Sequence, residues 1–305
     1  MQAVGVRGIL LEYWYYIYYY YTKECREKME NNDLQIIPKK IHYVWVGGGE
    51  KSEKVLACIE SWKKFCPDYE IIEWNESNFN LDKSPLIRKA LEIKNWALVS
   101  DMIRIIVLYE HGGIYLDTDV EVIKNLDPLL VNGFFTHFNS KHSLDVAIMG
   151  GVKGHKILEE NTKFYQSKFS VELTNFMIVQ VMGVLLDRHY GIKSNEKKYA
   201  GNHADGIRLY TREYLSPQHV VTGKIKLTEN SLTIHRFTGS WVSKRKMKMY
   251  RIFLPIMRCI IFRPFVSLGS YMVPRKYKKQ VRKLLKRYEA YNAENCSGDS
   301  VVAEE

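Results

Sequence analysis

The sequence predicts an α/β fold with a parallel sheet at its centre. Three observations support this. Between Ile41 and Trp74 an apolar strand, an amphipathic helix and a second apolar strand follow one another, the order of a parallel unit. A long apolar helix then runs into Gly112-Gly113 and out into another apolar strand. The 305 residues, 46% of them hydrophobic, can fill one sizeable domain with appendages.

The elements follow in order. Ile41-His42-Tyr43-Val44-Trp45-Val46 is expected as a buried strand ended by Gly47-Gly48-Gly49. Ser52 can cap a helix in which Val55, Leu56, Ile59, Trp62 and Phe65 recur at helical spacing, with Pro67 ending it. Tyr69 to Trp74 is the second strand. Ser84-Pro85 opens another helix, with proline at the first turn, where its missing N–H costs nothing. The strongest helix runs from about Asn95 to Glu110 and stops at Gly112-Gly113. Thr174 to Tyr190 reads as a helix with Phe176, Met177, Val179 and Leu185 apolar, and Leu232 to His235 as a short late strand.

The two ends differ from this body, and three segments result: 1–35, 36–242 and 243–305. Tyr13 to Tyr21 holds seven Tyr and one Trp. Ala3 to Tyr21 is apolar, but Arg7 and Glu12 interrupt it, and tyrosine prefers the membrane interface to its centre. A span, an interfacial helix and a stretch foreign to the functional domain all remain open, whereas a secretory signal pattern is absent. From Lys244 to Arg287 there are 15 Lys or Arg and no acid; against a net charge of +11, this leaves −4 for the rest. Met247 to Phe265 mixes apolar and basic residues, and Lys276 to Tyr288 is a basic helix candidate. This pattern fits an interfacial helix on an anionic membrane, contacting it through 244–288. No nucleic-acid module accompanies it, so no nucleic-acid partner is expected. Cys25, Cys58, Cys66, Cys259 and Cys296 form no CxxC pair, which argues against a disulfide framework or a zinc cluster and for a reducing, cytosolic setting.

The residues with chemistry cluster around Gly112-Gly113-Ile114-Tyr115-Leu116-Asp117-Thr118-Asp119. On a strand, Asp117 and Asp119 would share one face. Two carboxylates at a strand end suit a hard divalent cation, and strand ends are where open α/β sheets bind ligands. A solvated surface turn is the plain alternative. Glu121 extends the same face. Asp101 and Arg104 share one face of an otherwise apolar helix, so both need partners. They form a structural ion pair or face the hydroxyls and phosphates of a ligand. Trp45, before three glycines, either packs in the core or offers a flat surface to a nucleobase. His235 is a core histidine or a metal ligand.

Together, IPKKIHYVWVGG, SWKKFCPDYEIIEW, ALVSDMIRIIVLYEHGGIYLDTDVEVIKNLDPLL and HRFTGSW resemble glycosyltransferase family 32. This is the DXD-containing sugar-transferase family of the yeast initiating α-1,6-mannosyltransferase and many capsule-synthesis enzymes. The chain also resembles the catalytic core of the large clostridial glucosylating toxins. The likeness covers roughly Ile36 to Trp241.

The resemblance implies a GT-A fold, a nucleotide-sugar-binding, Rossmann-like α/β sandwich, here with a basic helical C-terminal extension. It implies that Val44, Trp45, Tyr115 and Ser240 line the donor site, with Trp45 stacking on the base. Asp101 and Arg104 would hold the donor sugar and diphosphate. Asp117 would contact ribose, sugar or metal, Asp119 would bind Mn²⁺ or Mg²⁺, and Trp241 would reach the leaving phosphate. His235 departs from the toxin pattern and completes the expected metal set.

The expected activity is a retaining hexosyl transfer, with a UDP-sugar favoured as donor and GDP-mannose as the alternative. The expected acceptor is a saccharide or polyprenyl-linked oligosaccharide in surface polysaccharide synthesis, on the cytoplasmic, inner face of a membrane. A protein-modifying transferase and a non-catalytic carbohydrate- or membrane-binding protein are the rival readings.

Overall fold

A computed structural model describes residues 36–219, 223–238 and 263–296. Ser240, Trp241, the aromatic segment 1–35 and the stretch 243–262 lie outside the described residues.

The first unit forms as its sequence predicts. Strand β1 (Lys40–Val44) and strand β2 (Glu70–Trp74) pair in parallel, from Lys40 with Glu70 to Val44 with Trp74. Helix α1 (Glu53–Phe65) crosses between them, capped by Ser52, whose hydroxyl accepts from the Val55 N–H. Helix α2 (Pro85–Glu92) starts behind Ser84, and helix α3 (Trp96–His111) behind Asn95, each cap side chain accepting an orphan N–H of the first turn. Gly112 ends α3 at φ 65°, a conformation that favours glycine. Gly113 then opens strand β3 (Gly113–Leu116), which lies parallel to β1.

The sheet has seven strands in the order β2-β1-β3-β6-β5-β8-β7. Strands β5 (Phe134–Ser140) and β6 (Ser143–Gly151) form an antiparallel hairpin, and β8 (Ile207–Tyr210) returns parallel to β5. Strand β7 (Gly201–Asn202) closes the far edge, and β3 meets β6 antiparallel. Five strands therefore point one way and β6 and β7 the other, a mixed sheet that stays parallel where the site is built.

Two apolar cores cover its faces. One gathers α2, α3, helix α4 (Lys156–Gln166) and helix α5 (Asn175–Tyr190) around Met102, Ile106, Phe164 and Val181. The other packs α1 through Val55 and Trp62 against Ile41, Ile114 and Leu116. Strand periodicity decides the division: Ile114 and Leu116 enter the second core and Tyr115 the first. Short helices α6 (Glu196–Tyr199) and α7 (Arg212–Leu215) sit in the connections. The α/β fold class matches the expectation.

A separate two-stranded ribbon matters most for the site. Strand β4 (Val120–Val122) pairs antiparallel with β9 (Thr233–His235), Val120 opposite His235. The C-terminal helix α8 (Arg263–Cys296) is longer than the expected Lys276–Tyr288. Its Val281, Leu284 and Leu285 are buried in the first core, with Tyr288 packed beside them, so this apolar stripe faces the protein. The face left outward is basic. Among the described residues no helix is long and apolar enough to cross a membrane.

Candidate active site

Strand β3 stops at Leu116, so Asp117 and Asp119 do not converge through strand alternation, as the sequence suggested. They sit in the turn between β3 and β4. The Asp117 N–H donates to the Ala147 carbonyl at 2.8 Å, and the Val120 N–H donates back to the Asp117 carbonyl at 2.9 Å, which folds the turn. The ribbon then delivers the third group. Because Val120 pairs with His235, the imidazole lies beside the turn, its Nε2 3.2 Å from Asp119 Oδ1. Ligand atoms of Asp117, Asp119 and His235 all fall within 4.8 Å of one another. Two carboxylate oxygens and one imidazole nitrogen at that spacing fit a divalent cation, and this is the metal set expected from the sequence.

Each member is held by other protein groups. Arg104 is 4% exposed and its fork is occupied by protein oxygens. It reaches Asp101 at 2.7 Å, Asp117 at 3.0 Å and the Val146 carbonyl at 2.7 Å, and it lies over the Tyr115 ring. Here Arg104 braces Asp101 and Asp117, because a buried guanidinium needs carboxylate partners and finds two. Tyr115 donates its hydroxyl to Asp117 at 3.0 Å and shares another contact with Ser100 at 2.9 Å. Asp119 accepts from the backbone N–H of Thr238 at 2.8 Å and from its hydroxyl at 3.1 Å. Glu121 pairs with Arg236 in the ribbon and does not join the cluster.

Asp145, on β6, was not singled out from the sequence. One of its oxygens accepts from the N–H groups of Val146 and Ala147, and the other lies 3.7 Å from His235 Nδ1 and 3.9 Å from His137 Nε2. This carboxylate lies behind the imidazole, near enough to act on its charge but beyond hydrogen-bond distance. The signal in the sequence was a lone acid inside the apolar run Leu144 to Met149. Phe237 was also missed. It stacks on the His235 ring at 3.9 Å and has φ 49°, a rare backbone for a bulky residue.

Electrostatics divide the acids. Burial pushes Asp101 up to about 7, against the pull of Arg104 and with the help of Asp117 and Asp145. Burial and the neighbouring Asp119 also raise Asp117, again against Arg104. Burial would raise Asp119 and Asp145 too, but His235, 3.2 Å from Asp119 and 3.7 Å from Asp145, holds both below the usual carboxylate range, with His137 also lowering Asp145. Burial alone would lower His235, yet Asp119 and Asp145 lift it to about 10. Without a metal the imidazole is therefore a cation between two anions.

Trp45 follows β1 and is half-buried, its indole N–H donating to the Gly49 carbonyl at 2.6 Å. Two residues beyond the last β1–β3 pair, His42 with Tyr115, come Val44 and Asp117. Val44 and Trp45 thus leave the sheet at the same edge as the acids. Tyr115, another expected donor contact, is 1% exposed and turned into the core behind Asp117.

Residues 52–135 match the family described as the glycosyltransferase sugar-binding region containing DXD motif. Within the matched residues fall α1, β2, α2, α3, β3 and the Asp117–Asp119 turn, whereas His235 and Thr238 come from outside them. The chain is 32% identical over 132 residues to inositol phosphoceramide mannosyltransferase 3 of Schizosaccharomyces pombe, covering 42% of this chain and 37% of that protein. It is 29% identical over 129 residues to the mannosyl phosphorylinositol ceramide synthase SUR1 of Saccharomyces cerevisiae, covering 40% and 32%. The chain thus spans about a third of the length of these curated relatives. Among solved structures it is similar to PaToxG glycosyltransferase, at 18% identity and TM-score 0.43, over 56% of this chain and 80% of that one.

Proposed function

We propose that this chain is a retaining, metal-dependent glycosyltransferase of GT-A type that uses a nucleotide-sugar donor. The observation that carries the reading is the convergence of Asp117, Asp119 and His235, braced from behind by Arg104, Thr238 and Asp145. The DXD family match and the mannosyltransferase names of the relatives support it.

Mn²⁺ or Mg²⁺ held by these three residues would neutralise the departing diphosphate as a Lewis acid. The protein's own part is preorganisation. Arg104 fixes Asp117 and Asp101, and Thr238 fixes Asp119. Asp145 lies behind His235 and favours its charged form. Trp45 is read as the ring that stacks on the base, and Asp101 as an acceptor for a sugar hydroxyl. Through the family resemblance, Trp241 is assigned to the leaving phosphate and Ser240 to the donor site.

A UDP-sugar is the favoured donor, through Trp45. The relatives' names put a mannosyl donor beside it. The acceptor is read as a saccharide or lipid-linked glycan, reached from the cytoplasmic face of an anionic membrane. The basic outward face of α8 supports that placement. A panel of nucleotide sugars with Mn²⁺, scored for hydrolysis without acceptor, tests the proposal. One donor should turn over, and Asp119→Ala should abolish it. Activity that survives a chelator or Asp119→Ala would sink the reading.

A further inference from the structure

A second concave feature lies apart from the acids, between α5, the 193–195 turn and α8. It is a cleft of about 640 Å³, a size that suits a small organic ligand. Lys193, Arg275, Lys278, Lys279 and Arg282 line it, and Asp187 is the one acid among its lining residues. Asp187 pairs with Arg282 at 2.6 Å, and the basic residues of the lining outnumber it.

Two features distinguish this from a solvated basic surface. Lys278 is half-buried and tied into the wall, its ammonium donating to Ser194 Oγ at 2.7 Å. Burial and the nearby Arg282 push its pKa down to about 8, against the pull of Asp187. The second feature is Gly183, in the middle of α5, where glycine is the poorest helix former but proline. A Cβ there would meet Ser194 Oγ at 3.4 Å, Leu144 Cδ1 at 3.7 Å and Lys278 Cε at 3.9 Å. The glycine leaves open the floor beneath the lysine.

We propose that the α5–α8 cleft binds a phosphate-bearing anion. Phosphate carries up to two charges and several acceptor oxygens, which match clustered Lys and Arg donors better than a single carboxylate does. The volume exceeds that of a bare phosphate, so the group is carried on a larger body, a lipid headgroup or a soluble phosphate ester. His142, also in the lining, is three residues from Asp145, so their Cα atoms are at most ~11 Å apart. A phosphorylated acceptor held here would have the proposed transfer site within its reach. That consequence rests on the transferase reading; the binding does not.

The test uses the full chain with a chelator present and no donor. Without metal, the carboxylates of the proposed transfer site repel anions, so binding reports on the cleft. Calorimetry with inorganic pyrophosphate should show saturable binding, weakened at least tenfold in the Lys193→Gln, Lys278→Gln double variant. Gly183→Leu keeps every charge and fills the floor, and it should weaken binding as much. Sedimentation with phosphatidylcholine vesicles carrying phosphatidic acid, against phosphatidylserine at equal surface charge, separates the sources. A preference for phosphatidic acid that Gly183→Leu removes assigns a lipid headgroup; pyrophosphate binding without that preference assigns a soluble ester. Absence of saturable binding to either probe overturns the proposal. So does wild-type affinity in Gly183→Leu, since basic surface at large would then be responsible.

Discussion

Metal binding at this site should be strongly linked to pH. His235 can ligate a cation only after losing the proton that Asp119 and Asp145 hold on it, and that proton leaves at about 10. The sign follows directly: a raised imidazole pKa means the proton competes with metal throughout the neutral range and loses ground as pH rises. Each unit below about 10 weakens apparent affinity about tenfold, so at pH 7 the penalty is ~10³, or about 4 kcal/mol. Between pH 6.5 and 8.5 Mn²⁺ affinity should therefore tighten roughly 100-fold. Calorimetry in buffers of different ionisation enthalpy should count one proton released from His235. Near neutrality a further fraction comes from Asp101, which burial raises to about 7. His235→Gln should leave only that fraction. An affinity constant within threefold across this range, with no proton release, would refute both the imidazolium and its place among the ligands.

Other outcomes follow from neighbouring groups. Asp145→Asn removes the carboxylate behind His235, so the pH at which Mn²⁺ affinity stops rising should move down by about one unit or more. His42 is fully buried and neutral; Trp74 donates to its Nδ1 at 3.0 Å and its Nε2 lies 2.7 Å from the Gly112 carbonyl. Burial depresses its pKa to about 4, so it contributes about 3 kcal/mol that is present above pH 6.5 and lost as pH falls toward 4. Imidazole NMR that finds His42 titrating above pH 6 would contradict this. Gly113→Ala would set a Cβ 2.7 Å from His42 Nε2 at φ 112°, and should lower stability in urea by at least ~2 kcal/mol. Trp62→Ala should cost about 3–5 kcal/mol, because Trp62 is fully buried and donates to the Val120 carbonyl at 2.7 Å.

Where local chemistry decides structure, the sequence was legible. Ser52, Ser84 and Asn95 mark helix starts because a side-chain oxygen can accept an orphan N–H, and all three do so. Gly112 marks the end of α3 because few other residues tolerate its backbone. The 36–74 unit and the α3–β3 passage were read nearly to the residue. Strands β5 and β6 were not, because polar residues such as His137 and Asp145 interrupt their apolar runs and find partners only across the sheet. In the site, Asp117, Asp119 and His235 were proposed as one set and the structure brings them together. The reason was different, since a turn and a ribbon do what strand alternation was expected to do. Asp145 and Thr238 were invisible because their partners lie 90 and 119 residues away. For α8 the composition suggested an interfacial helix, but only folding decides that its apolar stripe is taken by α5.

The β4–β9 ribbon also sets an order in time. It joins segments separated by more than a hundred residues, and such contacts are among the slowest a chain can make. During synthesis, the two aspartates emerge long before the histidine that completes the trio. A nascent chain that ends between β4 and β9 carries both acids, yet lacks His235 and the Thr238 brace. Metal uptake would therefore mark a molecule whose ribbon has closed, and so serve as a ready reporter of completed folding.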